Sequence, residues 1–251
     1  MQLSFVLLAR PYDVDGAAIV ASHARLFAAA PRPLVSSSAG AMAELRFADG
    51  LTTHVALMPA PVPDGEADGA ARFSLAAFRR DGGAVAPHAA HLIVTTHSPP
   101  RDASGRLDPL VRHTRIVAAC IDAYRAVAVY EGNAGATHPA AFYLDVATSS
   151  DVPLMLWTGI SVAQEPDGRT SILSLGAEAT VGIPDMIVSA PPARGNDALV
   201  FLFDMLSYVA SRGAPLPDGD TVGRNADERL RVHYVASPID PASQVARIDL
   251  A

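Results

Sequence analysis

The run Tyr130-Glu131-Gly132-Asn133-Ala134-Gly135-Ala136-Thr137-His138-Pro139 places a carboxylate, an amide and an imidazole around two glycines. It lies between a strand-like segment and a helix-like one, and Thr137 is placed to cap that helix. Free amides at a helix start beside glycines suit a carboxylate or phosphate, and ligands collect beyond the carboxyl ends of strands. A second strand-like run ends at His97-Ser98. His97, Tyr130, Glu131, Asn133, Thr137 and His138 are therefore the candidate ligand or partner crevice. Glu131 or His138 would be the general base, and the amides after Thr137 would hold developing negative charge. The competing reading is an ordinary capped loop.

Other constellations carry less chemistry. His91 and His97 share a strand parity but stand roughly 20 Å apart along it, too far to chelate one ion with His88. Asp218-Gly219-Asp220-Thr221-Val222-Gly223 alternates carboxylates, yet Arg224 and Asn225 follow where a calcium loop needs oxygens, so a hydrogen-bonded turn is expected. No Gly-x-Ser-x-Gly and no Gly-x-Gly-x-x-Gly occurs. All 19 basic residues are arginine, which excludes Schiff-base lysines and lysine-bearing phosphate loops. Cys120 lies in the apolar run Ile116–Ile121 and reads as a buried, inert thiol. Catalytic residues, metal ligands and cofactors are accordingly set at none.

The elements that must position these residues follow from periodicity. A strand at 3–9, a helix at 15–29, a hairpin with arms 34–47 and 51–59 turning at Asp49-Gly50, a short helix around Phe73–Arg80 and a strand at 91–96 give the order βαββαβ. Asp108-Pro109 opens a helix to about Ala126, with Asp108 as its cap and Leu110, Ile116, Val117, Cys120 and Tyr124 on its buried side. Strand 127–131, helix 139–148, strand 153–163, strand 170–178, helix 196–211 and strand 229–235 repeat the order. The expected class is α+β: tandem βαββαβ, ferredoxin-like units with a mixed, mainly antiparallel sheet and helices packed on it. The chain is expected as one compact domain, 1–251, with pseudo-repeats 1–107 and 108–251.

With 251 residues, half of them hydrophobic, the chain can bury a large core. Its net charge of -7 and scattered arginines, Arg79-Arg80 apart, argue against nucleic acid and anionic membrane and favour a basic protein partner. The N-terminus has no positive n-region, and no stretch is long and apolar enough to span a bilayer, so the cytoplasm is the expected location.

His91-Leu92-Ile93-Val94-Thr95, His138-Pro139-Ala140-Ala141-Phe142-Tyr143, Trp157-Thr158-Gly159, Asp218-Gly219-Asp220-Thr221-Val222-Gly223 and Asp227-Glu228-Arg229-Leu230-Arg231-Val232 together resemble a bacterial family known as domain of unknown function four-two-six-one. The resemblance runs over most of the chain, and Asp218–Gly223 is its most specific part. Glu131 departs from it, standing where an aromatic is expected. The resemblance implies a compact domain and brings no reaction, cofactor or catalytic residue with it.

The leading expectation is a non-enzymatic protein-interaction module, such as an immunity or adaptor factor. One alternative is a hydrolase or transferase working around His97, Glu131 and His138. Another is a structural subunit of a homo-oligomer. Convergence of His97, Glu131 and His138 in one concave pocket would favour the enzyme.

Overall fold

The computed structural model describes residues 1–78, 85–99, 106–225 and 227–251; Arg79-Arg80 and the end of the helix expected at Phe73–Arg80 lie outside the described residues. The fold is α+β. Contacts divide it into two compact units, Met1–Leu156 and Trp157–Ala251.

The first unit contains β1 (Gln2–Leu8), α1 (Gly16–Leu26), β2 (Leu34–Ala39), β3 (Met42–Arg46), β4 (Thr52–Met58), the short α2 (Glu66–Ala70), β5 (Ala90–His97), α3 (Asp108–Tyr124), β6 (Ala128–Glu131), β7 (Ala136–Pro139) and α4 (Ala140–Ser149). Its antiparallel sheet runs β2-β3-β4-β5-β1-β6-β7. β6 pairs with β1 and β7 with β6, so residues beyond 107 complete this sheet.

Local chemistry explains most of these elements. Asp15 caps α1, its carboxylate accepting from the amides of Ala17 at 2.8 Å and Ala18 at 3.2 Å. Gly50 turns the β3–β4 hairpin at φ +87°, a backbone region that costs a side-chain-bearing residue energy. The first hairpin arm is itself two strands, folding back at Gly40. α3 starts differently from expectation: Leu107 is its cap residue, and Asp108, already in the first turn, pairs with Arg112 at 2.9 Å. Its buried side carries Leu110, Ile116, Val117, Cys120 and Tyr124, as the spacing requires. Burial pushes the Cys120 thiol up, which keeps it protonated and unreactive.

The second unit comprises β8 (Gly159–Gln164), β9 (Thr170–Leu175), α6 (Ala177–Val181), β10 (Met186–Ala190), α7 (Gly195–Arg212), β11 (Thr221–Val222), β12 (Leu230–Ala236) and β13 (Gln244–Asp249); the four-residue α5 (Leu154–Trp157) falls at the division. Its sheet runs β11-β12-β13-β10-β9-β8 and is mixed, since β10 and β13 are parallel. β10 and β13 were not anticipated from the sequence. Both are short: Met186–Ala190 is buried at every residue and shows no alternation, and Gln244–Asp249 follows a proline-rich loop.

In the Asp218–Gly223 turn, Asp218 accepts from the Tyr234 amide and Asp220 from the Thr221 amide, as a hydrogen-bonded turn would. Gly223 is required by close approach: a Cβ there would lie 2.0 Å from the Glu228 carbonyl oxygen. Along β12, Val232 is fully buried while Arg231 and His233 are exposed. Val232→Asp should therefore lower stability by several kcal/mol, about 3 or more, through an unpaired buried charge, and Arg231→Asp by well under 1 kcal/mol. Chemical denaturation of the two variants tests this, and equal losses would contradict the strand's facing.

Candidate functional site

The loop read as a helix approach is a hairpin. After β6 the chain turns at 132–135 and returns as β7, so Thr137 pairs with Tyr130 within the sheet and does not cap α4. Its hydroxyl donates to the Ala67 carbonyl at 2.6 Å. α4 begins at Ala140 behind Pro139, and the Ala140 amide already donates to the Val127 carbonyl. The expected anion-holding amides are thus corrected: strand pairing uses the residues that were to supply them.

Strand alternation then separates the six sequence-predicted residues. Tyr130 and Thr137 share one face of the sheet, where Tyr130 stacks on Phe5 at 5.7 Å and its hydroxyl donates to Glu66. Glu131 points to the other face, toward α3 and α4. His138, opposite Val129, is fully buried; Nδ1 pairs with the Ser74 hydroxyl at 2.9 Å and Nε2 with the Leu156 carbonyl at 3.2 Å. Asn133 is exposed in the turn. His97 is exposed at the end of β5, its ring 5.7 Å from His54, three positions beyond Val94, which is level with Ser4. The six do not converge on one crevice.

What Glu131 does join is a chain of buried polar groups. The Ser4 hydroxyl donates to Glu131 Oε2 at 2.6 Å, and the Tyr143 hydroxyl to Oε1 at 3.0 Å. Ser4 Oγ also lies 2.7 Å from His113 Nε2. His113 Nδ1 lies 2.8 Å from Thr96 Oγ1, which is 2.9 Å from Thr53 Oγ1. β4, β5, β1 and β6 each contribute one residue on the same face, and α3 and α4 close the row with His113 and Tyr143. Of these, only Glu131 had been singled out from the sequence. A signal for the others exists: Ser4 occupies the inward parity of a strand whose Val6 and Leu8 are buried, and His113 lies three residues before Ile116 on the buried stripe of α3.

Burial governs the titration of this row. It raises Glu131 to about 7, the hydrogen bonds from Ser4 and Tyr143 offsetting only part of the desolvation. It lowers His113 to about 3 and His138 to about 4, so both imidazoles are neutral at physiological pH. His23, on the buried side of α1, is likewise lowered to about 4, by desolvation first and then by Arg115 and Arg32. Among the described residues, no group of three His, Cys, Asp or Glu is placed to hold a metal ion.

The comparisons bear on the other unit. Residues 174–249 match the family model described as Domain of unknown function (DUF4261). The matched span runs from the end of β9 through β13 and contains Asp218–Gly223 and Asp227–Val232. His91–Thr95, His138–Tyr143, Trp157–Gly159 and the whole Glu131 row precede it. No curated protein and no solved structure matches the chain.

A raised folded value means that Glu131 supports the fold fully below its unfolded value of 4.5, and that this support disappears as pH rises through about 7. The span corresponds to at most about 3 kcal/mol. Glu131→Gln should therefore gain on the wild type between pH 4.5 and 8 in denaturant titrations; a pH-independent difference would refute the buried charge. The lowered histidines act oppositely, losing their contribution as pH falls from 6.5 toward 3 to 4. Removing His138 leaves a cavity and takes one hydrogen-bond partner from Ser74 and one from the Leu156 carbonyl, so His138→Ala should cost about 3 kcal/mol, whereas exposed Asn133→Ala should stay within about 0.5 kcal/mol.

Proposed function

We propose that this chain is a non-enzymatic, cytoplasmic protein-interaction module of the immunity or adaptor kind, which takes an extended segment of a protein partner along β2. The observation that carries this reading is the state of that strand. β2 is the outermost strand of its sheet among the described residues, and all six of its side chains are exposed. An edge strand offers unpaired backbone donors and acceptors to any extended chain, and side chains on alternate positions then supply specificity.

Protection of this edge is slight. Leu34–Ala39 contains no charged residue and no proline, and a bulge between Val35 and Ser37 is its protective device. Leu34, Met42 and Met58, which are 71%, 56% and 43% exposed, fall by register on the sheet face opposite α1 and α3. Along β2 an added strand would meet Leu34 at one end and Met42 at the other, with Glu44 between them on the same face. The net charge of -7 favours encounter with a basic partner. Among the described residues no helix is long and apolar enough to cross a membrane. The hydrolase or transferase alternative needs His97, Glu131 and His138 about one substrate; Glu131 and His138 share the buried face against Tyr143, whereas His97 is exposed on the other face, which lends that reading no support.

Leu34→Lys combined with Ser37→Lys places charges on the edge without touching the core, so the melting temperature should remain that of the wild type. Immobilised wild-type protein should retain a partner from native lysate that the double variant loses. Identical retention by both proteins would sink the edge-strand reading. A homodimer in sedimentation that the same substitutions dissolve would instead establish the homo-oligomer and overturn the adaptor.

A further inference from the structure

The Glu131 row obeys donor and acceptor arithmetic strict enough to give it two states. With Glu131 ionised, Ser4 spends its only proton on Oε2 and must accept from His113, which places the ring proton on Nε2. The neutral ring then presents a bare Nδ1, to which Thr96 donates, and Thr96 in turn accepts from Thr53. Every bond along this side points toward the carboxylate.

A proton on Oε2 turns each bond around. Glu131 donates to Ser4, Ser4 donates to Nε2, and the ring proton must sit on Nδ1 to donate to Thr96, which donates to Thr53. One proton is taken up overall, it resides on Oε2, and the imidazole exchanges one tautomer for the other without becoming charged.

We infer that Glu131, Ser4, His113, Thr96 and Thr53 form a two-state hydrogen-bond chain that takes up one proton at Glu131 and, in doing so, moves the ring proton of His113 from Nε2 to Nδ1. The site of uptake follows from access. Glu131 is 8% exposed, more than any other member, and Thr53 at the far end and Tyr143 on the other oxygen are both fully buried. With both of those groups closed to solvent, the row holds one proton at Glu131.

The choice of oxygen follows from the acceptors behind it. Oε2 faces Ser4, which can hand its own proton to an imidazole nitrogen, the strongest neutral acceptor present. Oε1 faces the phenol of Tyr143, whose oxygen is a weaker acceptor and which Thr114 also engages. The other titratable groups around the carboxyl are His113 and Cys120 from α3, Tyr143 from α4 and His138 from β7, with the amino terminus acting on His113. Burial holds His113 and His138 uncharged, and Cys120 and Tyr143 protonated, so Glu131 is the group that changes.

Nitrogen-15 NMR of the histidine rings in the full chain, with carbon-13 observation of the glutamate carboxyls, tests the proposal between about pH 8.5 and about pH 5.5. The protonated-type and pyridine-type signals of His113 should exchange between Nε2 and Nδ1, with the same midpoint as the Glu131 carboxyl. Glu131→Gln, whose amide donates to Ser4 permanently, should show the Nδ1–H tautomer throughout. In Ser4→Ala the Glu131 carboxyl should still titrate while the His113 tautomer ignores it; this variant and the wild-type titration decide the matter if Glu131→Gln does not fold. An Nε2–H tautomer that persists in the wild type while Glu131 titrates would mean that the proton goes to Oε1, and would overturn the inference. So would an Nε2–H tautomer in Glu131→Gln.

Discussion

The first unit depends on how it accommodates one carboxyl group inside a sheet-helix interface. A carboxylate moved into such surroundings is costly unless it is hydrogen-bonded or neutralised, and Glu131 receives two hydroxyl donors and a raised affinity for protons. Those donors need partners in turn. Satisfying them draws His113, Thr96 and Thr53 into a row that crosses four adjacent strands and ties them to α3 and α4. Register and helix placement are thereby coupled: a slip of β6 by one residue would turn Glu131 to the opposite face and leave Ser4 and Tyr143 without their acceptor.

The buried polar groups of this unit and its exposed edge lie on different strands. The polar row, the fully buried His138 and the inert Cys120 are interior features. The exposed backbone edge lies at the other end of the same sheet, at β2, whose only neighbour in the strand order is β3. The match to an uncharacterised family covers the other unit, where the Asp218–Gly223 turn is held by main-chain approach at Gly223 and by carboxylate-to-amide bonds.

Long periodic elements were legible in the sequence. α3 and α7 show helical stripes, α1 carries an aspartate cap, and β12 alternates cleanly. Short elements were not. β7 has four residues and ends in a proline, a pattern indistinguishable locally from a helix approach, and β10 is apolar throughout. Missing β7 had a direct consequence, because it made Thr137 a cap and His138 a loop residue when both are interior. Glu131 stands out for its chemistry, while its partners Ser4, Thr96 and His113 were not singled out.

The sequence by itself determined the α+β class, the buried stripe of α3, the absence of any lysine chemistry and the excess of negative charge, since each follows from composition or from local period. Only the tertiary structure decided which polar residues meet. Ser4 and Glu131 are separated by 127 positions, and Thr53 and Thr96 by 43, so their hydrogen bonds are set by strand order and register. Local periodicity assigns a side chain to a face; pairing between distant strands decides what it finds there, and in this protein that pairing turns scattered hydroxyls and one imidazole into the setting of a buried acid.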